Sequence, residues 1–346
     1  MDPASGDVEA RSLVVSRMLR VGLAGAGWVS EHHLEAWTSL EDRAAVVAIA
    51  DPIRAAAEDR AARYAIPAVY DSVETMLERE RLDAIDVASP RETHALICRA
   101  AARMGIAILC QKPLTPTLAE AEALAAEVGE RARLMVHENW RFRPHYRQIH
   151  SWIRDGRVGE TRTAVMALLT SGLVPDSRGE LPALVRQPML ASLERMLVME
   201  VMIHHVDTLR FLIGPLDLVA AQLGKRCTAI RGEDRALLVL RGRSGAAVAL
   251  VGDFMALGYP AEQRDRLEIV GTRGSVVLRD DRLCLTGDHP EVVMIDLAAD
   301  YRASYRAAIG HFVDRLADGA PFETSLEDNL ETLRIVEAAY RWPRGA

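Results

Sequence analysis

Lysine is almost missing from this chain. Of 42 basic residues only Lys112 and Lys225 are lysine, and the rest are arginine. A guanidinium stays protonated, whereas an ammonium is a compact donor whose pKa moves readily on burial. A lysine kept against this background is a candidate for work that arginine cannot do. Cysteine is scarce too. Cys98, Cys110, Cys227 and Cys284 lie far apart and form no C-x-x-C pair. That argues against a zinc knuckle and for reduced thiols in a cytoplasmic setting. No apolar run reaches the ~18 residues of a membrane span. A net charge of −7 does not suggest a nucleic-acid surface. Internal repeats and low-complexity tracts are absent from the sequence.

The chain has 346 residues, 49% hydrophobic and 26% charged, and its mean hydropathy is near zero. That is enough for two globular domains with proper cores. Residues 1–17 are polar, acidic at first and without an apolar signal core, which reads as a flexible extension.

The stretch VGLAGAGWVS, Val21 to Ser30, follows the spacing G-x-G-x-x-small with Gly25, Gly27 and Ser30. One glycine permits a tight strand-to-helix turn. The second lets backbone approach a pyrophosphate, and a small third residue lets the helix pack close to the strand. Phosphates then meet free N–H groups and the positive dipole end at the helix N-terminus. About 20 residues on, Asp51 ends a second apolar run, where an acid accepts ribose hydroxyls. Arg54 is near enough to leave NADP open, but the acid repels a 2′-phosphate, so NAD is the expectation.

Strand and helix patterns alternate from here to Val136, predicting a doubly wound parallel sheet. Asp71 with Glu74 and Thr117 with Glu120 read as capping boxes. In such sheets ligands bind beyond the carboxyl ends of the strands. Those ends carry Gly25, Asp51, Ser89-Pro90, Gln111-Lys112-Pro113 and His137-Glu138-Asn139. A helix is predicted from Pro144 to Asp155. After Glu160, strands follow one another with short turns, as in Thr161–Ser171, Leu216–Leu223, Ala236–Arg241, Ala246–Phe254, Arg266–Val270, Ser275–Arg279 and Val292–Ile295. Successive strands imply an α+β domain with a mainly antiparallel sheet. Leu173 to Arg186 reads as a loop that can lie over the crevice, and Tyr301–Leu316 and Ser325–Tyr340 as closing helices.

Leu193 to Leu212 is apolar with helical spacing, which puts Glu200 and His204 on one face. A carboxylate beside an imidazole fixes its tautomer and raises its basicity, as general-base work requires. Glu200, His204 and Asp207 share a stripe, but a metal needs further ligands at recognisable spacing, so no metal is expected. Asp207 can pair with Arg210 at i,i+3, and His205 points about 100° away from His204.

Together these ordered motifs resemble the Gfo/Idh/MocA oxidoreductases. The likeness rests on VGLAGAGWVS, Ala50-Asp51-Pro52, Ala88-Ser89-Pro90 with His94, Cys110-Gln111-Lys112-Pro113-Leu114, Asn139-Trp140-Arg141-Phe142-Arg143-Pro144, and the His204/Asp207/Arg210/Gly214 run. The resemblance implies a Rossmann domain over 18–138, a substrate and oligomerisation domain with a large open-faced sheet over 139–324, and a C-terminal helix, 325–346, returning to the Rossmann domain. It implies NAD or NADP, hydride exchange with a sugar or cyclic polyol, and a homodimer or homotetramer built on the sheet. It implies cofactor contacts from Gly25, Gly27, Trp28, Val29, Asp51, Ser89, Pro90, His94, Gln111, Lys112 and Asn139. Substrate contacts fall to Lys112, Trp140, Arg141 and His204, with Lys112, His204 and Glu200 catalytic. Two departures stand out. The family's Glu-Lys-Pro is Gln111-Lys112-Pro113 here, and its aspartate four residues before the histidine is Glu200, flanked by Met199 and Met202. They leave open a non-catalytic NAD-binding sensor, or an enzyme in which transient oxidation permits elimination and NAD is recycled.

Overall fold

The computed structural model describes residues 18–343; the extension expected over 1–17 lies outside them. The first half alternates strand and helix: β1 (Leu19–Ala24), α1 (Trp28–Thr38), β2 (Ala44–Ala50), α2 (Arg54–Tyr64), β3 (Ala68–Tyr70), α3 (Val73–Arg79), β4 (Ala84–Val87), α4 (Arg91–Arg103), β5 (Ala107–Gln111), α5 (Leu118–Val128) and β6 (Leu134–His137). The six strands form one parallel sheet in the order β3-β2-β1-β4-β5-β6. This is the doubly wound dinucleotide-binding topology, whose order reverses between β1 and β4. Its central strands are short, mostly apolar runs buried on both faces, as β4 shows with all four residues buried. Thr117 caps α5 as expected, accepting from Glu120 N. The cap of α3 falls one residue later than expected, on Ser72, which accepts from Thr75 N.

A short 3₁₀ turn (Trp140–Phe142) and α6 (Pro144–Arg154) lead into the second sheet. It is built from β7 (Thr161–Leu169), β8 (Leu216–Gly224), β9 (Arg235–Gly242), β10 (Ala247–Asp253), β11 (Asp265–Gly271), β12 (Gly274–Arg279), β13 (Arg282–Gly287) and β14 (Glu291–Met294). The order is β14-β13-β12-β11-β7-β10-β9-β8, antiparallel except for β10 beside β7. The sequence expectation missed β13, which opens on a charge and carries the apolar alternation only at Leu283 and Leu285. It also extended Leu173–Arg186 as loop throughout, whereas α7 (Pro182–Arg186) closes that stretch.

Between β7 and β8 the chain makes an excursion ending in α8 (Ile203–Ile213). The turn before it, Leu197–Met202, is π-helical. This segment lies flat on the sheet: a Cβ added to Gly252 of β10 would meet Met202 Sδ at 2.5 Å. The inward residues of β9, Ala236, Leu238 and Leu240, are buried while Leu237 and Val239 between them stay exposed. That period of two marks one covered and one open face. The last two helices are α9 (Leu297–Asp318) and α10 (Leu326–Arg341). Tyr305, Ile309 and Phe312 of α9 share a core with Trp37 of α1 and Leu109 of β5, so α9 belongs to the wall of the parallel sheet. α10 packs on α8, β8 and α5, tying the two sheets together.

Candidate active site

The nucleotide cradle forms where β1 ends. Gly25 has φ +108°, and a Cβ there would come within 2.7 Å of the Ala88 carbonyl oxygen. Only glycine lets the β1 and β4 ends touch in this way. Gly27 is the N-cap of α1 and supplies no side-chain cap. A Cβ on it would meet nothing within 4 Å, so open space lies over the helix N-terminus, where N–H groups favour an anion. Ser30 turns its hydroxyl back onto the Gly27 carbonyl at 2.6 Å and stays buried. Asp51 accepts from Ala26 N at 2.7 Å and from Ile53 N at 2.8 Å, so its carboxylate also braces the glycine turn. Arg54 is held by Glu58 and Asp71 at 2.8 and 3.1 Å, which takes it away from service to a 2′-phosphate. These residues fit NAD. Trp28, exposed, and Val29, half-buried, stand at the rim, with Trp28 edge-on to His32 at 4.9 Å. Ser89 and Pro90 are the opposite rim, accessible at the end of β4.

The chemical centre lies where the β5 and β6 ends face α8. Beyond β5 the Lys112–Pro113 peptide is cis. Lys112 Nζ donates to Glu200 Oε1 at 2.8 Å and to the Glu200 carbonyl at 2.9 Å. Arg91, the first residue of α4, reaches Glu200 Oε2 at 3.2 Å. Glu200 is thus clamped by two cations from the other domain. This overturns the expectation that Glu200 orients His204. Residues 197–202 follow a π turn with i→i+5 bonding, which breaks the α-helical register the pairing needs.

The acid beside His204 is Glu138, one residue past β6, whose Oε1 contacts His204 Nδ1. The imidazole stacks on Trp140 at 4.2 Å and 14°. The Arg143 guanidinium lies 3.5 Å from the Trp140 ring centre. Those two distances leave no room for both groups on one face, so the indole is sandwiched between cation and imidazole. Asp265 fixes the sandwich by accepting from Trp140 Nε1 (2.9 Å) and Tyr146 OH (2.7 Å), with His205 Nε2 at 2.8 Å. Burial works against that carboxylate, yet His205, Arg143 and Tyr146 hold it well below the usual range. His205 therefore serves the frame. Among the described residues His204 Nε2 has no hydrogen-bond partner, and 8% of the side-chain surface stays open. Burial, followed by the neighbouring Lys112 charge, holds the imidazole well below its ordinary pKa and keeps it neutral.

Residues 19–138 match the Gfo/Idh/MocA oxidoreductases with an NAD-binding Rossmann fold, and residues 146–277 match a Gfo/Idh/MocA C-terminal domain. The D-apiose dehydrogenase of Paraburkholderia graminis is 32% identical over 356 aligned positions, spanning 96% of this chain and 89% of its own. The chain belongs to the Gfo/Idh/MocA family. The inositol 2-dehydrogenase of Rhizobium meliloti is 28% identical, covering 93% of this chain and 96% of its own. A solved oxidoreductase from Agrobacterium radiobacter, in complex with NAD+, L-tartaric acid and magnesium, superposes with a TM-score of 0.86 at 26% identity, over 93% of this chain and 95% of that one.

Within this Gfo/Idh/MocA chain several expected site residues serve the frame instead. Gln111, read as a cofactor contact, is buried. Its Oε1 accepts from Lys112 N at 2.7 Å and its Nε2 faces His33 Nε2 at 3.1 Å. His33 Nδ1 and Trp37 Nε1 meet Asp86 Oδ2 at 2.8 and 2.7 Å. The amide therefore adds no charge beside the buried Asp86 carboxylate, where a second carboxylate would. His94 is buried, with its ring nitrogens against the carbonyls of Pro113 (3.0 Å) and Ser89 (2.9 Å), stapling two strand-end loops. Asn139 donates to Ser304 Oγ of α9 at 2.7 Å. Arg141, expected at the substrate, is buried and consumed by Asp207 and Asp328. Asp207 accordingly spends its charge on Arg141, with Arg210 at only 4.0 Å. Sequence spacing missed Glu138 and Arg91 as partners of His204 and Glu200. Their one signal was position, at the carboxyl ends of β6 and β4. Among the described residues no group of three or more His, Cys, Asp or Glu is placed to hold a metal ion.

Proposed function

We propose that this protein is an NAD-dependent dehydrogenase that exchanges hydride with a hydroxyl or carbonyl carbon of a sugar or cyclic polyol. The observation that carries the reading is that Lys112, from one domain, lies near enough to His204, from the other, for its charge to oppose an imidazolium there. Bound NAD supplies the hydride acceptor. In the oxidative direction the His204 Nε2 accepts the hydroxyl proton. An ammonium has three N–H donors, and Glu200 takes two of those on Lys112. The third is left for the substrate oxygen, where it stabilises developing alkoxide charge. Glu200, itself held by Arg91, fixes the ammonium in place. Trp140 walls the imidazole and keeps its edge turned to the crevice. The same groups serve the reverse reduction.

The relatives named for D-apiose and inositol support this substrate class. The test is a panel of aldoses, apiose and inositols with NAD, followed at the absorbance of reduced nicotinamide. The reading expects saturable NADH formation with at least one cyclic polyol or sugar. NAD binding with no turnover across the panel favours a sensor. Product without net NADH favours oxidation followed by elimination.

We further propose a homodimer or homotetramer through the open sheet face, which exposes Val165, Val219, Leu237, Val239 and Val270. Scattered apolar residues are ordinary on a surface, but a row along adjacent strands is not. Val239→Glu should lower the sedimentation mass by half or more while leaving the fold intact. An unchanged mass would place the interface elsewhere.

A further inference from the structure

Glu138 is fully buried, yet its two oxygens are treated differently. Oε1 faces His204 Nδ1 and accepts from Trp140 N at 3.2 Å. Oε2 is sealed from solvent and has no hydrogen-bond partner among the described residues. A buried carboxylate with one bare oxygen is a poor anion, because nothing replaces the water it lost. His204 is a poor cation for a related reason. It is buried between Trp140 and the helix, with Lys112, His205 and Arg143 all opposing an imidazolium and Glu200 favouring it. The pair is thus poised so that a proton entering it is held better on oxygen than on nitrogen.

Building on the reading of His204 as the base, we propose that Glu138 is where the substrate proton finally rests. The substrate O–H bond breaks as Nε2–H forms on His204. The Nδ1–H bond of the same ring breaks as Oε1–H forms on Glu138. The electron pair of the substrate C–H bond leaves as hydride to the bound nicotinamide, and a carbonyl remains. The imidazole is neutral before and after, with its tautomer exchanged, and the carboxylate becomes an acid. No imidazolium has to persist beside Lys112. Once product leaves, the steps run backwards to release the proton through Nε2. Glu138 reaches substrate only through His204, so it is a positioning residue.

The surroundings of Glu138 agree with this. Lys112 from the β5 end, Arg141 from the 3₁₀ turn and His205 from α8 favour its anion. Asp207 of α8 and Tyr305 of α9 sense its charge from the other sides. Burial outweighs the cations and raises the group to about 7. The dyad then titrates as a unit near neutrality. Below that pH the proton sits on Glu138, Nδ1 accepts, and Nε2 carries hydrogen and cannot act as base. Oxidation therefore rises with pH through this titration.

The test has two arms. Infrared difference spectra of the NAD-bound protein between about pH 5 and about pH 9 should show a protonated-carboxyl band that vanishes near neutrality. Glu138→Gln should lack it. In turnover, wild-type kcat/KM for oxidation should rise about tenfold per pH unit below the titration and then level. Glu138→Gln should lose that limb and about 10²-fold or more of the plateau rate, with NAD affinity unchanged. A wild-type spectrum with no titrating carboxyl overturns the proposal, whether or not the variant folds. So does a Glu138→Gln enzyme that keeps both limb and rate. Failure of the dehydrogenase reading shows itself separately, as wild-type protein that turns over no sugar or polyol, because the infrared arm needs no substrate.

Discussion

Lys112→Ala lowers turnover by about 10²-fold or more, the scale of a positioned charge-stabilising group, and leaves NAD affinity nearly unchanged. The two effects separate because the cradle and the ammonium are different parts. Gly25, Gly27 and Asp51 shape the proposed nucleotide cradle at the β1 and β2 ends. Lys112 extends from the β5 end onto Glu200. Removing the ammonium leaves Glu200 paired with Arg91 at 3.2 Å, so the pocket keeps a partner for its carboxylate while the substrate oxygen loses its donor. Lys112→Arg should not restore the rate. A planar fork in place of a compact ammonium cannot hold the Glu200 carbonyl and carboxylate and also aim a donor at the crevice. Stopped-flow turnover beside a fluorescence titration of NAD checks both halves. Near-normal turnover of Lys112→Ala would remove the lysine from the chemistry.

His204→Gln is expected to cost about 10²- to 10⁴-fold in kcat for oxidation, the range for loss of a general base. Glutamine is close in size and can still hydrogen-bond Glu138 and lie against Trp140, so the fold and the Asp265-centred network should survive. What it cannot do is accept a proton. Circular dichroism confirms the fold, and kcat at saturating NAD and substrate gives the loss. A variant that keeps more than about a tenth of wild-type kcat would mean that another group takes the proton.

The fold was largely readable because its signals are local. Apolar runs of strand length, glycine turns and capping residues recur along the first half, and their alternation admits few topologies. Lys112 and His204 stand out in the sequence for different reasons, one as a rare lysine at a strand end, the other through motif spacing. The pairing between acids and bases was not readable. Glu138 and His204 are 66 positions apart, one just past β6 and the other on α8, and no periodicity links them. Glu200 misled because helical spacing presumes an α-helix, and the chain forms a π turn there. Arg141 misled because a charged residue beside a motif looks available. Only the packing of α8 and α10 shows Asp207 and Asp328 closing on it. Gln111 looked like a lost carboxylate until His33, from α1, appeared against it.

The central claim is that an ammonium and an imidazole from two domains converge on one substrate oxygen. A crystal structure of the NAD complex with the polyol or sugar identified by the panel tests it most directly. The account predicts a hydroxyl within hydrogen-bond distance of both Lys112 Nζ and His204 Nε2, with its carbon against the nicotinamide. A reactive hydroxyl bound by other groups, with Lys112 satisfied wholly by Glu200 and Nε2 facing no ligand, would contradict it.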